Sequence, residues 1–274
     1  MGPPRTIRHG WIQIIKNLND YAFLIRQLVR IDILDEYKRS FIGIAWLFLV
    51  PIFSVVSWIL FDNSGVLNPG DTEVPYPAFV LLSTSIWVFF IDIYYGVSKI
   101  FVGRSRMIVM TKFPREVLVA EKIIVHLIRF LIPLIINIVI LLFFGVNFKW
   151  SALLFPFTLL PLLLLGISIG LIISFFRVVA TDLAKIVDHG LGFLMILTPI
   201  VYTPQIEAGI LSEIIQYNPM TYLVGFSREI LLNGGFFEPW LWLGCSCLIF
   251  CFFLFTVRFF LIAEVKIVER LISN

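Results

Sequence analysis

Lys122, His126 and Arg129 stand four and three residues apart, a spacing that sets all three on one face of an α-helix. A descending ladder of cations suits phosphate, because charge-assisted bonds to phosphate oxygens are stronger than neutral ones and Arg presents a planar fork to them. Arg104 and Arg106 precede the ladder and extend it. Snorkelling, in which long side chains only carry their charge to the membrane surface, is the other reading of the same residues. Asp92 lies six residues before Ser98, and Arg129 lies six after Ile123. At about 1.5 Å per residue both sit roughly 9 Å inside neighbouring antiparallel apolar segments, where an unpaired charge is costly, so they are expected to pair.

Other chemistry is harder to assemble from this chain. Cys245, Cys247 and Cys251 are spaced i, i+2, i+6 and do not share one helical face, so they are expected to be small buried hydrophobes and not a metal site. The sequence contains no GxxxxGK[ST], HExxH or GxSxG pattern and no paired carboxylates facing a pocket. No catalytic residue, metal or cofactor is therefore expected on this chain. Energy for driven work would come from another subunit or an ion gradient.

The elements that must position these residues are membrane spans. Hydrophobic residues make up 59% of the 274 positions and charged residues 14%, with a mean hydropathy of +0.98, far more apolar than a soluble domain. About 20 apolar residues cross the hydrocarbon layer as a helix that satisfies its own backbone. Six such windows occur, near 41–61, 78–98, 123–144, 153–176, 184–202 and 240–262. The fifth is the weakest, since Lys185, Asp188 and His189 stand at its start and Pro199 and Pro204 bracket its end. Forty mostly amphipathic residues precede the first span, with no short apolar core of a cleavable signal.

Six spans with both termini in the cytoplasm put 19 of the 21 Lys and Arg residues beside cytoplasmic span ends and leave only Lys149 and Arg228 outside, as the positive-inside rule requires. The net charge of +3 adds little about partners, and nothing points to nucleic acid. The expected fold is an all-α integral membrane protein. Its parts are an N-terminal interface helix over 1–40, a six-helix transmembrane domain over 41–262 and a cytoplasmic tail over 263–274.

Three segments outside the spans carry specific expectations. Trp11, Ile14, Ile15 and Leu18 form an i, i+3, i+4, i+7 stripe, continued by Leu24, Leu28 and Ile31, as in a helix lying in the membrane interface. That helix turns into the bilayer past Tyr37, Lys38 and Arg39, with the two cations at headgroup level. The cytoplasmic loop 99–122 holds Thr111, Lys112, Phe113, Pro114, Arg115 and Glu116, read as a short extended stretch leading into a helix. With Met110 and Phe113 exposed among basic residues it resembles a docking knob, apolar at the centre and charged at the rim, although a plain basic loop on anionic lipid fits the charges too. In the outside segment 204–239, GILSEIIQY and NPMTYLVGFSREILL are amphipathic and too short to span. Asn218 caps and Pro219 starts the second, so two short re-entrant helices are expected, forming an extracytoplasmic gate with Tyr222 and Arg228, the latter lining the exit or pairing with an acid.

In order along the chain, DEYKRSFIGIAWLFLVP, TKFPREVL, FFRVVATDLAKIV with TPIVYTP, and NPMTYLVGFSREILLNGG resemble four blocks of the membrane permease of type-two ATP-binding-cassette exporters, in the branch that exports O-antigen, teichoic acid and capsular polysaccharide. The sequence departs from that family where its usual Arg-Asp pair is replaced by Thr181 and Asp182, with Arg177 one turn earlier. The resemblance implies a homodimer in a bacterial inner membrane. Two copies of a separate ATPase, which carries the ATP and Mg, would drive lipid-linked polysaccharide outward. The segment Thr111 to Glu116 would then be the ATPase-coupling element, with the interface helix as a second contact. Arg104, Arg106, Lys122, His126 and Arg129 would receive the pyrophosphate of a polyprenyl-linked glycan. Trp46, Phe48, Phe53 and Trp58 on the first span, with Phe193 and Tyr202 on the fifth, would offer flat surfaces for sugar rings in the channel. Lipid contact or helix packing accounts equally for aromatic side chains. A type-two exporter of drugs or lipids, or a membrane-embedded glycan-lipid transferase, are the competing functions.

Overall fold

The computed structural model describes residues 7–38, 43–64, 74–111, 113–203 and 209–273. Helices account for its regular structure, and the described residues contain no strand. In chain order the helices are α1 (Ile7–Asp20), α2 (Ala22–Lys38), α3 (Trp46–Ser64), α4 (Tyr76–Ser98), α5 (Ile100–Gly103), α6 (Ser105–Met110), α7 (Glu116–Phe143), α8 (Phe155–Thr158), α9 (Leu160–Val179), α10 (Thr181–Leu197), α11 (Ile210–Tyr217), α12 (Pro219–Leu232) and α13 (Pro239–Ser273).

Four stretches are long and apolar enough to cross a membrane: Tyr76–Ser98, Glu116–Phe143, Trp150–Val179 and Pro239–Ala263. They correspond to the second, third, fourth and sixth apolar windows of the sequence. The first and fifth windows appear as α3 and α10, of 19 and 17 residues. α10 stops at Leu197, short of the expected Tyr202, because Thr198 precedes Pro199 and is forced into an extended conformation at φ −98°, ψ 134°. α13 runs on past the sixth window to Ser273, so the expected tail is a continuation of that helix.

The core is organised around α4, whose face from Tyr76 to Ser98 is buried at sixteen positions. Its principal partner is α9, and α7, α3 and α12 pack around it. α9 approaches so closely because Gly166 and Gly170 face α4 four residues apart. A Cβ at Gly170 would stand 2.8 Å from Val97 Cβ and 3.1 Å from the Tyr94 carbonyl oxygen. Lipid supplies no hydrophobic drive for helices to associate, so small residues that admit backbone-to-backbone contact take that part.

The N-terminal region is two helices, not one, with a break at Tyr21. Trp11, Ile14 and Leu18 pack on the core while Ile15 is exposed. Ile25, Leu28 and Val29 are buried against the bundle, where α2 packs on α7. α2 therefore rests on protein along one face. Tyr37 and Lys38 end α2, and Gly43 at φ 57° makes the left-handed turn that leads into α3. The side chains of Tyr37 and Lys38, and all of Arg39, lie outside the described residues.

Candidate functional site

Arg104 sits at the junction of α5 and α6, and Lys122 lies two turns into α7. Asp32 of α2 bonds both, Oδ1 with the Arg104 guanidinium and Oδ2 with the Lys122 ammonium. Glu121, fully buried, stands 3.5 Å from each of the same cations, and neither of its oxygens makes a hydrogen bond. Burial pushes the Asp32 carboxyl up, but its close contact with the Glu121 carboxyl, the bond from Lys122 and the charges of Lys122 and Arg104 more than offset this and hold it below the usual carboxylate range. The Arg129 guanidinium also reaches the Asp32 carbonyl oxygen, at 3.5 Å. One carboxylate thus ties three elements together.

Beside this cluster lies a cavity of about 280 Å³ walled by Tyr95, Gly96, Lys99, Arg104, Lys122 and His126, among others. His126 fills the space in front of Gly96, where a Cβ would stand 2.2 Å from its Nε2. Of the five residues expected to gather for a phosphate, the structure brings Arg104, Lys122 and His126 to one wall. Arg106 is exposed and stands off it. Arg129 instead lines a second cavity of about 130 Å³ together with Asp92, Ser54 and Pro133, so the two residues expected to pair share one enclosure.

The loop segment differs from the exposed knob that its sequence suggests. Phe113 is only 9% exposed, and Arg115 and Glu116 are buried as well. Arg115 donates to the carbonyl oxygens of Phe113 and Ile108, and its guanidinium lies over the Phe113 ring at 5.0 Å. Glu116 accepts from Asn17 Nδ2 at 2.7 Å, fastening α1 to the start of α7. The Arg115 bonds explain the burial: folding the loop back on itself satisfies the Ile108 carbonyl of α6 and the Phe113 carbonyl and covers the ring. Pro114 stands just ahead of α7, its carbonyl accepting from the Val117 amide at 3.2 Å. Lys112 lies outside the described residues. The outward face of the segment is made of Val102, Val109, Met110 and Thr111, with Met110 75% exposed.

Of the aromatics on α3 and beyond, Trp46, Phe53 and Phe193 are exposed on the outside of this chain. Trp58 meets Tyr76 edge-on at 6.2 Å and Tyr202 donates to the Ile196 carbonyl at 3.0 Å, so those two belong to packing and to the turn after α10. The Phe48 side chain is outside the described residues.

In the segment before α13, Asn218 accepts from the Met220 amide at 3.0 Å and Pro219 occupies the first position of α12, as expected. Asn218 also donates to Thr198 Oγ1 at 3.0 Å, joining the cap to the end of α10. Tyr222 donates to the Gln216 carbonyl and stacks on Phe237. Among the described residues of this chain Arg228 forms no ion pair with an acid side chain. Buried to 6% exposure, it donates to the Pro199 carbonyl at 2.9 Å and to Ser83 Oγ at 3.2 Å, over the Phe79 ring. The Pro199 carbonyl, just past the end of α10, and an aromatic face take the place of a counter-ion.

Sequence reasoning missed Asp32, Glu121, Asn17 and the cluster formed by Tyr94, Arg177 and Asp188. Arg177 Nη2 bonds both Asp188 oxygens at 2.6 and 2.9 Å, and the Tyr94 hydroxyl donates to one of them at 2.6 Å. Asp182, which with Thr181 stands where the family's Arg-Asp pair would be, is instead exposed beside Lys185. A signal for Asp32 was present: it follows Ile25 by seven residues and Leu28 by four, an acid placed on the buried stripe of its own helix.

The sequence profile described as ABC-2 type transporter matches residues 24–232. Among similar proteins, the O-antigen export system permease protein RfbA of Myxococcus xanthus is 25% identical over 217 residues, 78% of this chain and 82% of its own length. A protein of the same name from Klebsiella pneumoniae is 23% identical over 229 residues, 81% of this chain and 85% of its own.

Proposed function

The chain belongs to the ABC-2 type transporter family, and from that premise we propose that it is the channel-forming permease of an ATP-binding-cassette transporter exporting an O-antigen-like, lipid-linked polysaccharide. The observation that carries this reading is the likeness to O-antigen export permeases over about four-fifths of both chains. It is a membrane subunit, with hydrolysis on a partner chain. The working unit is two copies of this chain in a bacterial inner membrane, each with six spans and cytoplasmic termini, bound to two copies of the ATPase.

The outward aromatics Trp46, Phe53 and Phe193 support a sugar path along α3 and α10, formed when two copies face each other. α11 and α12 close its outer end. The cavity of Lys99, Arg104, Lys122 and His126 takes the pyrophosphate of the lipid anchor. Asp92 and Arg129, in their shared enclosure, pair within the bundle. The coupling face is Val109, Met110 and Thr111, braced from within by Phe113, Arg115 and Glu116.

The test is co-purification with a candidate ATPase in lipid nanodiscs, followed by ATP hydrolysis with and without polyprenyl-pyrophosphate glycan. Stable assembly with stimulation by the glycan lipid is expected. Assembly without any response to glycan lipids would instead favour a drug or lipid exporter. Within the complex, Met110→Glu is expected to weaken ATPase capture with little change in Tm, whereas Phe113→Ala lowers Tm by removing a buried ring. Equal capture by Met110→Glu and wild type would remove that face from the coupling role.

A further inference from the structure

Arg104 and Lys122 line the basic cavity, yet the group they grasp belongs to their own chain. The Asp32 carboxylate offers one oxygen to each cation, the same two-oxygen bridging by which a phosphate holds a pair of cations. We propose that Asp32 is an internal stand-in for the anchor phosphate: it holds Arg104 and Lys122 at the cavity wall until a pyrophosphate displaces it, and that exchange removes the charged tie of α2 to the coupling segment and α7. This rests on the reading of the cavity as a pyrophosphate site and adds to it a competitor and a consequence.

Three observations carry the argument. Among the described residues Asp32 is the only acid hydrogen-bonded to Arg104 and Lys122; buried Glu121 forms a looser ion pair with each at 3.5 Å, without a hydrogen bond. The exchange is favourable because a pyrophosphate brings more than one negative charge to the pair where Asp32 brings one, and Coulomb energy scales with charge. Asp32 can be released because its side chain is 19% exposed, whereas Glu121 is sealed at 0% and stays in place. The three elements that meet at Asp32 are α2, the α5–α6 junction and α7, so breaking its two bonds removes the charged tie between α2 and the start of the coupling segment and leaves its apolar packing on α7.

An internal competitor lowers apparent affinity by the fraction of molecules in which it occupies the site. With the full chain in phosphatidylcholine nanodiscs, farnesyl pyrophosphate binding is measured by titration calorimetry, and α2 amide exchange is followed by mass spectrometry. Asp32→Asn is expected to bind farnesyl pyrophosphate about tenfold tighter than wild type. The ligand should speed exchange over 22–38 in wild type, while in Asp32→Asn exchange is already fast. Asp32→Glu, which keeps the charge, should stay within about twofold of wild type in both readouts. Inorganic pyrophosphate gaining from Asp32→Asn in parallel would locate the competition at the headgroup, and farnesol should not gain.

If Asp32→Asn binds no tighter while Lys122→Gln abolishes binding, the cavity still takes pyrophosphate and Asp32 is only a brace, which overturns the inference alone. If no variant binds farnesyl pyrophosphate, the pyrophosphate reading of the cavity falls and the inference with it. A gain for farnesol equal to that for farnesyl pyrophosphate would also overturn it, since the competition would then not concern the phosphate.

Discussion

Tyr94, Arg177 and Asp188 show how single polar groups organise the bundle. The carboxylate is shared between a guanidinium on α9 and a hydroxyl on α4, while it is carried by α10, so three helices meet at one charge. A hydrogen bond to a charged group contributes about 1.5–3 kcal/mol, so Tyr94→Phe is expected to lower the Tm of the purified chain by a corresponding amount. Arg177→Ala should cost more, roughly 3–5 kcal/mol, because it strands a partly buried carboxylate. Thermal unfolding in detergent checks the order; equal Tm values for the two variants would break it. Asp188 was visible in the sequence only as a charge that weakened the fifth apolar window. Its partners lie 94 and 11 residues away, and no helical period connects residues on three separate helices. Arg228 carries the same lesson, since its cation meets a carbonyl and a ring where an acid was expected.

At the level of elements, contact between α4 and α9 depends on what is missing from Gly166 and Gly170. Gly170→Ala places a methyl 2.8 Å from Val97 Cβ and close to backbone, so it is expected to destabilise by about 1–3 kcal/mol despite the better helix propensity of Ala. Gly192→Ala, whose Cβ would meet no atom of this chain within 4 Å, should be neutral or stabilising in Tm. If Gly170→Ala proved no less stable than Gly192→Ala, close approach would not be what holds α4 to α9. Boundaries that rest on local chemistry were legible in advance: Pro219 and its Asn218 cap start α12 as expected. The division of α1 from α2 at Tyr21 was not, because the apolar stripe runs through that residue unbroken.

For the whole molecule, function under the proposed reading requires two copies, and the outer closure must move for polymer to pass. Tyr217 at the end of α11 is 87% exposed. With Cys245, Cys247 and Cys251 replaced by Ser to remove background thiols, a copy-to-copy disulfide formed by Tyr217→Cys is expected to block glycan export in vesicles and to release it on reduction. Complete crosslinking with normal export would rule out a gate at α11.

The membrane class, the location of the long apolar helices and the family were all determined by the sequence itself, because composition, run length and ordered local motifs are properties of contiguous residues. Tertiary structure alone decided which charges meet and which residues face outward. Phe113 reads as exposed among its basic neighbours in the chain and is covered in space by Arg115. Asp32 reads as one acid on an interface helix and becomes the joint of α2, α5–α6 and α7. The Asp32 partners stand 72 and 90 residues away and the Phe113 cover comes from a backward fold of its own loop, so whether a charge or ring is satisfied depends on packing that no local period encodes.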